Sequence, residues 1–335
     1  MFLPNSFPAA LALMLAAMIC WGSWANPYKL TRNWRFELFY FDYAIGIFGT
    51  ALIAALTLGT LFGQPTFLDN LRTADRTALL YAVLAGVVLN CGNVLLTAAM
   101  ALMGMATAFP VSVGLSLVVG TVLSYAVMPR GNPVFLFSGV AMVLTAVIIN
   151  AAAYRAMSGA KAGAPRRGLA ICILAGLLLS GFGPLTAKAL SSPKPLAPYG
   201  CAVLFTFGAL ASTFPLVGYL MRHPLKGALL SAGDYWRGDI PDHAAGWTAG
   251  LIWGTGTVLA FIAANAAGMA LSGAIGQANP LVAALWGLFV WREFDGTNRR
   301  SRQLLALMFA FYSAGLVLLA LSFSARAISD LALRR

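Results

Sequence analysis

Ten separate apolar stretches divide this chain, at roughly 7–28, 37–62, 78–101, 104–127, 133–154, 168–190, 197–221, 246–267, 269–291 and 303–324. Each has the length, about 20 residues, that an α-helix needs to cross the hydrocarbon of a bilayer. Backbone polar groups in lipid must be satisfied inside the segment itself, so such stretches have little choice but to be helices. The expected fold class is therefore an all-α polytopic membrane protein with ten transmembrane helices. Composition agrees: 10% of the residues are charged and the mean hydropathy is +0.81, whereas a soluble domain carries about 25% charged residues. Met1 to Tyr28 hold no Lys or Arg, so the first stretch reads as a span and not as a cleaved leader.

The net charge of +12 would suit a nucleic-acid partner, but the basic residues sit between the apolar segments, where they act as topology signals. No nucleic acid is expected. The larger share of the Lys and Arg falls in the loops after segments 1, 3, 5, 7 and 9. This places those loops in the cytoplasm and both termini outside, in an inner or plasma membrane.

Two stretches echo each other. Slid so that Gly92 meets Gly256, Val94 meets Val258, Ala99 meets Ala263, and Gly104-Met105-Ala106 meets Gly268-Met269-Ala270 without a gap. Each is a helix, a tight turn and a second helix. Five segments per half is an odd number, so two similar halves must sit in opposite orientations. That is the inverted repeat of secondary transporters, with a site at the repeat interface. The expected organisation is residues 1–155 as the first five-helix repeat, 156–167 as a basic cytoplasmic linker, 168–325 as the second repeat and 326–335 as a short tail.

Polar residues inside apolar segments mark the candidate site, because an unsatisfied polar group facing lipid costs several kcal/mol. Asn90, Asn93 and Thr97 fall at i, i+3 and i+7 on one helix face. Thr257 stands where Asn93 does in the repeat. Thr107 and Ser112 flank Pro110, which frees backbone carbonyls. Gln277 and Asn279 sit beside Pro280. Trp21 and Trp24 share a face of segment 1 just before Pro27, and Trp253 shares one with Thr257. Substrate contact is expected at Trp21, Trp24, Asn90, Asn93, Thr107, Ser112, Trp253, Thr257, Gln277 and Asn279. All are uncharged, which suits a small neutral polar solute held by hydrogen bonds and ring stacking.

Asp42 lies past the boundary of segment 2. It is either a proton carrier or half of an ion pair with Lys29 or Arg32. The longest loop, about 222–245, holds His223 and His243 with three aspartates, but their spacing matches no metal-ligand pattern. Segment 9 stops at Trp291-Arg292-Glu293, read as a segment end. The four cysteines read as apolar packing residues. No nucleophile–base pair or ligand set lies near a segment end, so neither an enzyme nor a cofactor is expected.

WGSWANPYK in segment 1, FYFDYAIG in segment 2, GNVLLTAAMALMGMATAFPVSVGLSLVVGTVLSY in segments 3–4 and GQANPLVAALWGLFVWREF in segment 9 resemble the drug/metabolite transporter superfamily. Within it they are most similar to the branch of ureide permeases, glucose/ribose uptake porters and rhamnose–proton symporters, and the FDY of segment 2 leans towards the ureide permeases. The plant ureide permeases have a longer central loop with a nucleotide-binding-like motif, which this chain lacks. The resemblance implies solute import, proton-coupled through Asp42, by alternating access. The solute would be a ureide, a nucleobase-like compound or a sugar, and the partners protons and membrane lipids. An exporter of amino acids or drugs on the same scaffold, or a non-transporting sensor or assembly subunit, is the alternative. The sequence leaves the oligomeric state open.

Overall fold

The computed structural model describes every residue except 32–33, 128–131, 159–163, 226, 268–274, 277, 294 and 333–335. Among the described residues there are only helices, turns and loops. In chain order the helices are α1 (Phe7–Ser23), α2 (Asn26–Leu30), α3 (Phe36–Leu56), α4 (Leu58–Leu61), α5 (Phe67–Thr73), α6 (Arg76–Met103), α7 (Met105–Val127), α8 (Pro133–Ser158), α9 (Ala164–Leu179), α10 (Phe182–Leu190), α11 (Pro198–Arg222), α12 (Ala232–Tyr235), α13 (Ile240–Ala267), α14 (Asn279–Leu285) and α15 (Arg299–Ala332). A π-helical turn, Trp286–Val290, continues α14. Nine spans among these residues are long and apolar enough to cross a membrane. The stretch read as segment 9 contributes a shorter apolar helix, Asn279–Val290, and its earlier part lies largely outside the described residues.

Proline sets where two spans break. Pro27 sits in the first turn of α2, after the turn at Trp24 and Ala25. Pro184 follows a matching turn at Ser180 and Gly181. The α6–α7 connection is a single residue, Gly104, with φ +83°, a backbone conformation that only glycine adopts without strain.

The bundle is inside-out relative to a soluble protein. Large apolar side chains such as Ile53, Ile148, Phe214 and Leu251 are exposed on the outside, while the interior is rich in Ala, Gly and aromatics. Small residues let helices approach closely, as membrane bundles require. A Cβ on Gly46 would stand 2.9 Å from the Trp247 carbonyl and 3.1 Å from Gly250 Cα, so α3 and α13 meet backbone to backbone. α3 also packs on α11, α6 on α9 and α11, α1 on α13 and α14, α7 on α8, α9 and α14, and α15 lies along α8.

Candidate functional site

The polar stripe of α6 turns inward and meets two tyrosines on α3. The Tyr40 hydroxyl donates to Asn90 Oδ1 at 2.9 Å. Asn93 Nδ2 spends its two hydrogens on the Tyr40 and Tyr43 hydroxyls at 3.1 and 2.9 Å. Asn90 Nδ2 donates to Ser212 Oγ and Thr213 Oγ1 on α11, at 3.0 and 3.2 Å. Thr97 caps its own turn by donating to the Asn93 carbonyl. Every side chain in this chain of bonds except Ser212 is buried. Two capacities stay unspent: among the described residues none donates to Asn93 Oδ1 and none accepts from the Tyr43 hydroxyl. An acceptor and a donor thus stand side by side.

Aromatic rings frame this edge. Trp24 stacks on Tyr43 with centroids 4.4 Å apart. Trp253 lies edge-on to Tyr43 at 6.5 Å and 6.3 Å from Trp21. Trp21 Nε1 donates to Thr257 Oγ1 at 3.2 Å. Trp21, Trp24, Asn90, Asn93, Trp253 and Thr257 therefore form one connected cluster, linked through Tyr40 and Tyr43. Asn279 adjoins it: its amide turns back to the Gly276 carbonyl at 2.8 Å, and a Cβ on Gly276 would stand 2.8 Å from the Trp21 ring. Thr107 and Ser112 are buried on α7, and among the described residues neither hydroxyl has a hydrogen-bond partner, so neither is bonded to the amide cluster. Gln277 lies outside the described residues.

Asp42, on the same turn of α3 as Tyr40 and Tyr43, is buried. The Tyr235 hydroxyl donates to its Oδ1 at 2.6 Å, and His243 Nδ1 stands 2.7 Å from its Oδ2. The expected partner Lys29 is committed elsewhere, to Glu293 at 2.8 Å, and Arg32 lies outside the described residues. Glu37, on the first turn of α3, is likewise buried and is held by the guanidinium of Arg35. Tyr235 ends α12, the short helix between α11 and α13. Desolvation first, and then the hydrogen bond to Asp42, push its phenol well above the ordinary tyrosine value, so it stays a donor. The turn that presents it is closed by Asp234, which accepts from the Ser231 amide at 2.7 Å and the Ser231 hydroxyl at 2.9 Å. These bonds hold the Asp234 carboxyl below the usual carboxylate range.

Tyr40, Tyr43, Ser212, Thr213, His243 and Tyr235 were missed from the sequence. The two tyrosines were visible at i and i+3 on the Asp42 helix, but aromatics near a span's end also read as interfacial anchors. His243 and Tyr235 carry no signal, because nothing local ties a loop to an acid so far away in sequence.

Among the described residues, apolar spans thus surround a buried, uncharged cluster of amides, phenols and indoles, and the buried acids Glu37 and Asp42 both have partners. The sequence profile "Ureide permease" matches residues 39–163 and 155–322, and the chain belongs to the ureide permease family. It is 26% identical to ureide permease 1 of Arabidopsis thaliana, an alignment covering 96% of this chain and 99% of that protein. It is 27% identical to ureide permease 2 of the same plant, with the same coverage. Those alignments run over 388 and 400 residues, longer than the chain's 335, so the relatives hold segments this chain lacks. In fold it resembles a protein of known crystal structure, with a TM-score of 0.55 at 17% identity, covering 93% of this chain and 99% of the other. The family makes it a transporter and not an enzyme.

Proposed function

We propose that the chain is a proton-coupled importer of a small neutral ureide-type solute, working by alternating access between two inverted five-helix repeats. The observation that carries the solute class is the unspent pair at Asn93 Oδ1 and the Tyr43 hydroxyl. A ureide presents an N–H and a C=O along one edge, which meets that acceptor and that donor together. Its flat ring, when cyclic, suits stacking on an indole such as Trp24 or Trp253. The relatives' name, ureide permease, points the same way. A sugar, the alternative from sequence, offers hydroxyls but no planar amide edge.

The repeat reading is supported by which helices touch. With the Asn279 segment counted as the ninth of ten spans, exchanging the halves turns the α3–α13 packing into α11–α6. The same exchange turns α1–α13 into α9–α6, and α7–α9 into α14–α1. All of these packings occur. Breaks at Pro27 and Pro184 fall in corresponding spans. Proton coupling is supported by Asp42, which shares one helical turn with Tyr40 and Tyr43 and is bonded to a titratable His243.

A thermal-unfolding screen of the detergent-purified protein tests the solute class, with cyclic ureides, uracil, purines, pentoses, hexoses and amino acids as ligands. A ligand at 100 times its Kd stabilises the fold by about 2.7 kcal/mol. Stabilisation by allantoin or uracil, lost in Asn93→Ala, is the expected result. Stabilisation by pentoses or hexoses alone would overturn the ureide reading.

A further inference from the structure

At the end of the bundle that carries Lys29, one carboxylate joins three separate parts of the chain. Glu293 follows the π-helical turn after α14. Its Oε1 accepts from the Met105 amide at 2.9 Å and its Oε2 from the Ala106 amide at 2.9 Å, so it caps the N-terminus of α7. The first amides of a helix have no partner within it, and an anion there meets the positive end of the helix dipole. Lys29, at the end of the first span, closes on the same Oε1 at 2.8 Å. The Glu293 side chain is 11% exposed and that of Lys29 29%. Charge-assisted bonds in such sheltered places are among the stronger ones.

The chain is shaped to receive this carboxylate. A Cβ on Gly104 would stand 2.6 Å from Glu293 Oε2 and 3.0 Å from Oε1. A Cβ on Gly287 would stand 2.8 Å from Ala106 Cβ and 3.0 Å from Glu293 Oε2. Two glycines, one in the α6–α7 turn and one in segment 9, thus leave room for one acid. Two indoles tie the same elements: Trp286 Nε1 donates to Ser23 Oγ at 2.9 Å and Trp291 Nε1 to Asn26 Oδ1 at 2.6 Å. In the register of the internal repeat, Glu293 falls opposite Pro129, followed by Arg130. The first half offers no equivalent acid at that position.

We propose that Glu293, Lys29 and the Met105 and Ala106 amides form a latch that holds this end of the transport path shut, and that the opposite end has no such latch. Glu293 acts here as a positioning residue: it fixes the first span and segment 9 onto the turn between α6 and α7. The span it fixes carries Trp21 and Trp24, so releasing it frees one wall of the cluster at this end. The proposal rests on the transporter class alone, not on the solute or on Asp42.

Reporter cysteines test it in the full chain, reconstituted in liposomes with Cys20, Cys91, Cys172 and Cys201 replaced by alanine. Ala25→Cys probes the latched end and Ala55→Cys the opposite end; both positions are buried. Glu293→Gln should speed maleimide labelling of A25C by roughly tenfold or more, as expected when charge-assisted bonds are removed from one side of a two-state equilibrium, and leave A55C slow. The double exchange Lys29→Glu with Glu293→Lys restores an ion pair but gives the two amides no acceptor, so A25C should stay fast. If E293Q does not purify intact, Lys29→Met reads the same contact and should give a smaller rise at A25C. Unchanged A25C labelling in the variant that folds, equal acceleration at both reporters, or rescue by the charge exchange would each overturn the latch.

Discussion

At the scale of single residues, the cluster works by what it leaves unpaired. Tyr40 both donates and accepts, so it is a strut between Asn90 and Asn93. Tyr43 only accepts, and its proton is available. Tyr43→Phe should therefore keep the ring stack on Trp24 and lose solute. Leaving a buried polar partner unmatched costs about 1–3 kcal/mol, so Kd for the ureide should rise on the order of tenfold or more, read by isothermal titration. Unchanged affinity would move the solute off Tyr43. Asp42 makes a different prediction. Asp42→Asn should abolish solute accumulation driven by a pH gradient while exchange without a gradient continues; accumulation by D42N vesicles would remove Asp42 as the carrier. The amide positions were readable from their i, i+3, i+7 spacing, because a helix face repeats every few residues. The tyrosine, histidine and glutamate partners were not, because each depends on a contact between distant segments that no local period encodes. Glu293 read as a segment end for the same reason: its partners are two backbone amides, which leave no trace in a sequence.

At the scale of elements, close crossings and short loop turns set the geometry. Gly46 meets the α13 backbone, whereas a Cβ on Gly49 would have nothing within 4 Å. Gly46→Leu should lower the unfolding midpoint, with a cost of about 1–3 kcal/mol or more for overpacking, and Gly49→Ala should leave it nearly unchanged; equal effects in thermal denaturation would contradict the close crossing. The turn holding Tyr235 gives a pH prediction. The Asp234 carboxyl is depressed in the folded chain, so the stability it lends is present above the ordinary carboxylate value and is lost as pH falls through its lowered value. Tyr235 has the opposite sign: its raised phenol supports the contact below the ordinary tyrosine value and fails as pH rises through its own. Amide exchange across 231–237 should be slowest between those limits, and Asp234→Ala should speed it at neutral pH. Fast exchange at all pH values in the unaltered chain would show that this turn does not hold Tyr235 on Asp42. The breaks near Pro27 and Pro184 follow from the residue's chemistry, since proline cannot donate a backbone hydrogen bond and disfavours the helical region at the residue before it.

At the scale of the whole molecule, apolar segment lengths alone announced a helical membrane protein. Nine spans long and apolar enough to cross a membrane are seen among the described residues, and segment 9 contributes the shorter apolar helix Asn279–Val290. Gln277 and Asn279 beside Pro280 are what marked that segment as a candidate site in the sequence. The pairing of helices across the two halves could not be read in advance, since lipid-facing and protein-facing residues are both apolar and differ mainly in size.

Asp42 also sets a ceiling. Among the described residues it is the one buried carboxylate whose partners are a phenol and an imidazole and not a fixed cation. Under the coupling proposed, one such group ferries one proton for each solute. A pH difference of one unit then supports an accumulation ratio of about tenfold. Each 100 mV of membrane potential adds about 2.3 kcal/mol of driving force, or roughly another fiftyfold. A cell using this protein could scavenge dilute solute only as far as its proton battery allows, and would find uptake reversing into loss whenever that battery ran down.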